Sequence, residues 1–209
     1  MKKMDIMERM LDVTAFAIVR ADENRAKEIA QALREGGLPV MEMSYTFPNA
    51  GTVISSLKES FQDQLTVGAG TVLDSETAMD AILHGAEFII APNFDLGVAE
   101  MCNRYQIPYA PGCSTLTEAV NALTKGATFI KAFPISDFYG PKLAKVFKTP
   151  IPHMPLLASG GINLDNLEEW LENGIDLCGL GSLLTKGSAE EIKSNAKKIR
   201  EIIDHFKAK

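Results

Sequence analysis

Eight short apolar stretches recur along this chain at steps of about 20 to 26 residues, with helix-patterned segments between them. A step of that length holds one strand, one three-turn helix and two short loops. The predicted strands cover 15–20, 39–45, 65–70, 88–93, 109–114, 129–134, 155–161 and 176–182. Strands joined by helices run parallel, and eight such right-handed units close into a (β/α)8 TIM barrel. The 209 residues lie near the lower size limit for that fold, and no linker-like stretch divides them, so one domain spans 1–209. An open doubly wound sheet is the competing architecture.

The helical segments carry their own punctuation. A short amphipathic helix opens the chain on Ile6, Met7, Met10 and Leu11. Ala26, Ile29, Ala30 and Leu33 form one face of the first barrel helix, which Gly36 and Gly37 end. Thr115 with Glu118, and Ser188 with Glu191, have the spacing of capping boxes. Gly140 and Pro141 suit the entry to a shorter helix, and Asn163 suits a cap.

Within this pattern one strand carries a charge. In GATFIKAFP, alternation places Phe129, Lys131 and Phe133 on one face and Ile130 and Ala132 on the other. The stretch GAEFIIAP at 85–92 aligns with it and has Ile90 opposite Lys131, as if a functional group had been set into a repeated scaffold. An ammonium between two phenylalanines loses hydration, which favours the neutral amine, a nucleophile for carbonyls. A second charge lies in PVMEMSY, where Val40, Glu42 and Ser44 share a face. If Met41 and Met43 pack against the helices, Glu42 points into the barrel with Lys131. An acid beside an amine can move the protons that carbonyl addition and carbon–carbon cleavage require. The same two residues could instead form a buried ion pair, which would keep the lysine protonated.

The last two strands end in Gly160–Gly161 and Gly181–Ser182. In barrels, bare backbone N–H groups at these two strand ends commonly hold a phosphate.

Charge and composition narrow the partners. A net charge of −6 argues against nucleic acid or an anionic membrane, leaving a small-molecule ligand. Cys102, Cys113 and Cys178 read as reduced packing residues, and His84, His153 and His205 have no ligand spacing, so no metal and no cofactor are assigned. No apolar run has signal-peptide or bilayer character, so a cytoplasmic location is expected.

Taken in order, EMSYT, GAGTVL, APNF, PGCST, FIKAFP, SGGIN and GLGS resemble the signature blocks of the 2-keto-3-deoxy-6-phosphogluconate (KDPG/KHG) aldolase family. The resemblance runs over almost the whole chain and implies a metal-free class I aldolase. Such an enzyme is usually a homotrimer and cleaves a 2-keto-3-deoxy sugar acid phosphate to pyruvate and glyceraldehyde 3-phosphate. It makes Lys131 the Schiff-base lysine and Glu42 the general acid/base. Thr71 would bind the pyruvyl carboxylate, Pro92 and Phe133 would line the pocket, and Gly160, Gly161, Gly181 and Ser182 would hold the phosphate.

Two departures stand out. Thr46 occupies the position where well-studied members carry an arginine that grips the carboxylate, and a hydroxyl cannot replace a bidentate guanidinium. Arg20, ending the first strand, is the candidate substitute, with a rim salt bridge as its other reading. SDFYG, after the lysine strand, differs from the family's usual small, polar stretch, and the departures together leave the exact substrate open. The competing functions are a phosphate-binding isomerase or decarboxylase on the same barrel, with Lys131 as a fixed charge, and a non-catalytic ligand-binding barrel.

Overall fold

The computed structural model describes residues 3–209. Every strand pairing is parallel. Among the described residues the strands are β1 (Ala15–Val19), β2 (Val40–Ser44), β3 (Thr66–Gly70), β4 (Ile89–Ile90), β5 (Tyr109–Ala110), β6 (Gly112–Cys113), β7 (Ile130–Ala132), β8 (Leu156–Ser159) and β9 (Leu177–Leu180). They form one sheet in the order β5-β4-β3-β2-β1-β9-β8-β7-β6.

The two ends of that order are neighbours in the chain, separated only by Pro111. Proline has no N–H to give to a ladder, so it splits what is otherwise one strand. Its carbonyl still accepts from Lys131 N at 2.9 Å, and on the other side Ala110 O accepts from Ala91 N at 3.1 Å. The ring therefore closes through an interrupted stave, and the eight predicted strand regions each contain strand residues. The open-sheet alternative is excluded. Residues 88–93 contribute only two residues to the sheet, because Pro92 ends donation there.

The helices are α1 (Lys3–Val13), α2 (Glu23–Glu35), α3 (Ala50–Phe61), α4 (Ser75–Leu83), α5 (Leu96–Tyr105), α6 (Leu116–Thr124), α7 (Ser136–Tyr139), α8 (Lys142–Lys148), α9 (Leu167–Glu172), α10 (Ser182–Thr185) and α11 (Ala189–Lys207). Asp22, Asp74 and Asp95 each accept the N–H three residues on, and Thr115/Glu118 and Ser188/Glu191 form the expected capping boxes. Gly36 ends α2 as read from the sequence. Two details differ. Asn163 lies a turn ahead of α9, accepting from the N–H groups of Asp165 and Asn166, while Asn166 is the residue at the helix boundary. In α1, Ile6, Met10 and Val13 are buried but Leu11 is exposed, and the Lys207 ammonium donates to the carbonyls of Leu11 and Asp12.

Alternation sorts the strand side chains into two shells. Met41 and Met43 are wholly buried, as are the helix residues Leu33, Ile54 and Leu57. Inside the ring, Phe16 and Phe88 meet edge to face at 6.1 Å. Gly68 and Gly179 make room for them: a Cβ at Gly68 would enter the Phe88 ring, and one at Gly179 would stand 3.0 Å from Phe16. This plug fills one level of the barrel, and the polar groups occupy another.

Candidate active site

Glu42 sits at the middle of β2, in register with Gly68 of β3. Its carboxylate lies over Gly70, where a Cβ would collide with it. A glycine two residues along the same face is therefore what lets an acid fit inside the barrel. Glu42 is 2% exposed and its Oε2 has no hydrogen-bond partner. Burial pushes its carboxyl above the ordinary carboxylate range, against the opposing pull of Lys131 and Arg20.

Lys131, in β7, is 8% exposed, and its Nζ stands 4.6 Å from the centre of the Phe133 ring. Burial holds the amine below its usual range. The charge of Glu42 works against this, and the cation of Arg20 adds to it. Glu42 and Lys131 feel each other's charge, yet no ion pair joins them among the described residues. The buried ion pair considered for them is not formed. Burial thus presses both groups toward their neutral forms.

A line of hydroxyls crosses the carboxyl ends of β1, β2 and β3. Arg20 Nε donates to Thr46 Oγ1 at 3.0 Å, Thr46 Oγ1 meets Ser44 Oγ at 2.9 Å, and Ser44 Oγ meets Thr71 Oγ1 at 3.1 Å. Arg20 thus engages the threonine that stands in for the expected arginine, and the rim salt bridge is absent among the described residues. Thr71 has φ 58°, a left-handed backbone that a β-branched residue adopts only under constraint, and such strain gathers at functional sites. Ser44 was not among the residues assigned a role from the sequence. Its signal was alternation, since it shares the inward face of Glu42.

Pro92 and Phe133 line a cavity of about 360 Å³ with Asn93, Phe94, Gly112 and Ser114. Ser114 Oγ donates to Phe133 O at 2.9 Å, which fixes the backbone after the lysine, and the Phe133–Pro134 peptide is cis. Cys113, in this neighbourhood, is free; burial pushes its thiol up to about 12, as it does those of Cys102 and Cys178, so none supplies a thiolate.

The two glycine motifs come directly after the neighbouring strands β8 and β9, paired at Ser159 and Gly179. Gly160 and Gly161 have φ 93° and 69°, conformations that favour glycine. Gly181 and Ser182 begin α10, with open space above Gly181. The space at Gly160 is not open. The Asp137 carboxylate oxygens both lie 2.7 Å from where its Cβ would be, and one lies 3.0 Å from that of Gly161. Nothing in the reading of SDFYG placed this acid there, because it depends on how α7 folds back over β8.

Among the described residues no three His, Cys, Asp or Glu side chains are grouped as a metal site, and no helix is long and apolar enough to cross a membrane. Comparison with known proteins agrees with the geometry. The family model for KDPG and KHG aldolase matches residues 6–202. The 2-dehydro-3-deoxy-6-phosphogalactonate aldolase of Escherichia coli (strain K12) is 31% identical over 179 residues, covering 82% of this chain and 87% of that protein. A solved structure described as native KDPGal superposes with TM-score 0.87 at 28% identity, covering 93% of this chain and 96% of the other. The KDPG aldolase of Legionella pneumophila, with pyruvate captured as a covalent carbinolamine, gives TM-score 0.79 at 27% identity, covering 94% and 95%. With a closed ring of parallel strands, a buried amine and a buried acid that feel each other's charge, and a family match over nearly the full length, this chain belongs to the KDPG and KHG aldolase family, a family of aldehyde-lyases.

Proposed function

We propose that this chain is a class I aldolase that forms an imine through Lys131 and splits a 2-keto-3-deoxy sugar acid into pyruvate and an aldehyde. The observation that carries the reading is the buried, unpaired couple of Lys131 and Glu42, each displaced toward its neutral form.

In their neutral forms the two groups can carry the chemistry. The Lys131 lone pair attacks the keto carbon, forming a carbinolamine. Glu42 gives its proton to the departing hydroxyl, which leaves as water, and the nitrogen becomes a protonated imine. Glu42, now a carboxylate, takes the proton of the C4 hydroxyl. The C3–C4 bond breaks, its electron pair passes to C3 and into the imine as an enamine, and the aldehyde leaves. Protonation of C3 and addition of water then release pyruvate and restore the amine.

Arg20, Thr46, Ser44 and Thr71 would hold the substrate carboxylate with one cation and a row of hydroxyls, a role that their linked hydrogen bonds support. Pro92 and Phe133 form the apolar wall. A phosphorylated acid of the kind that names the relatives would yield glyceraldehyde 3-phosphate, with Gly160, Gly161, Gly181 and Ser182 at its phosphate end. The readings that keep Lys131 as a fixed cation, an isomerase or a decarboxylase, require the charged form that burial disfavours. Assembly as a homotrimer in the cytoplasm belongs to the same proposal, and light scattering that weighs three chains would support the trimer.

Incubation with pyruvate and borohydride tests the central step. A mass increment on Lys131 is expected, and a folded sample without that adduct rejects the imine mechanism.

A further inference from the structure

The Asp137 carboxylate lies against Gly160 and Gly161, the β8 glycines assigned above to a phosphate. Its two carboxylate oxygens are 2.7 Å from the position of a Gly160 Cβ, and Oδ1 is 3.0 Å from that of Gly161. Asp137 is exposed, but its backbone is fixed beside the loop, its Cα lying 3.7 Å from the Gly161 Cβ position, so its carboxylate stays within reach of these glycines. The turn is anchored there: Ser136, buried at the start of α7, donates its hydroxyl to Ser159 O at 2.7 Å, the last residue of β8. Asp137 has no hydrogen-bond or ion-pair partner among the described residues, so no cation neutralises it.

A carboxylate only accepts hydrogen bonds when ionised, and it repels a dianion. Sugar hydroxyls, by contrast, are donors that suit it. We propose that Asp137 sets the tail specificity of the site, favouring a 2-keto-3-deoxy acid that ends in free hydroxyls over one that ends in phosphate. This rests on the aldolase reading and narrows its substrate. The carboxylate end and the reacting carbons keep the groups already described, while the far end meets an acceptor where a bare anion cradle was expected.

Two acids of the same carbon skeleton, with and without a 6-phosphate, separate the possibilities by the rate of pyruvate release. The unphosphorylated acid should show the higher kcat/KM, by about tenfold or more, because like charges at an exposed rim are only partly screened. Asp137→Asn keeps the shape without the charge, and Asp137→Ala removes the carboxylate. Both should move the ratio of the two kcat/KM values toward the phosphorylated acid by about tenfold. A wild-type preference for the phosphorylated acid, or a ratio unchanged in both variants, overturns the proposal. Inorganic phosphate gives a readout independent of turnover: it should raise the melting temperature of Asp137→Ala and leave the wild type unmoved, whereas stabilisation of the wild type overturns the assignment. The borohydride adduct on Lys131 tells the two failures apart. With the adduct present, only the tail assignment falls; without it, the aldolase mechanism falls first.

Discussion

The two sides of the barrel mouth are built in different ways. On the β1–β3 side, strands of five residues lie in continuous register, and they carry the buried acid Glu42 below a cation and hydroxyls linked from strand to strand. On the β7–β9 side, Lys131 lies on a strand of three residues and the loops carry glycines, a four-residue helix and an unpaired carboxylate. In the proposed mechanism the first side supplies the acid and holds one anionic group. In the same proposal the second holds the reacting amine and discriminates among substrate tails. A common core chemistry can therefore be kept while the tail is changed, because the two tasks rest on different loops.

Substitutions on each side test this division. Lys131→Ala removes the nucleophile, so cleavage should fall by about 10⁴-fold or more and the borohydride adduct should vanish. Glu42→Gln keeps the shape and loses the proton, and kcat should drop by about 10²- to 10⁴-fold while pyruvate still labels Lys131.

The same variant has a stability signature. Glu42 has a raised carboxyl pKa in the folded protein, so the fold binds its proton more tightly than the unfolded chain. That contribution is complete below the unfolded value and is lost as pH rises through the folded one. Melting curves should show Glu42→Gln gaining on the wild type as pH rises, by on the order of a few degrees.

Arg20→Ala should raise KM by about 10- to 100-fold, the worth of a hydrogen bond to a charged group. It should also shift the rate profile toward alkaline pH, because Arg20 is one cause of the lowered Lys131 pKa. The smallest effect is expected for Thr46→Val, a rise in KM of about 2- to 10-fold with kcat nearly kept, reflecting one neutral hydrogen bond. If Arg20→Ala altered kcat as strongly as Glu42→Gln and left KM alone, the separation of holding from reacting would not stand.

Much of this was readable from the chain. The step between apolar runs located every stave, and the period of two put Glu42 and Lys131 inside, because a strand's alternation depends on nothing beyond itself. The partnership of Glu42 with Gly70 was not readable, since a missing side chain carries no pattern until the neighbouring strand is set beside it. The hydroxyl line needed the left-handed turn at Thr71, and the acid at Gly160 needed the fold-back of α7. Such contacts join residues far apart in sequence, where local periodicity has no reach.

The interrupted stave at Pro111 has a mechanical consequence. From β1 to β3 the lacing is long, whereas β4, β5 and β6 each contribute two residues, so the hoop is sewn tightly along one arc and loosely along the other. Amide exchange should find its quickest openings along that loose arc. Lys131 borders it through Gly112, so the nitrogen that the proposed imine would turn from tetrahedral to planar is mounted beside the loosely laced arc.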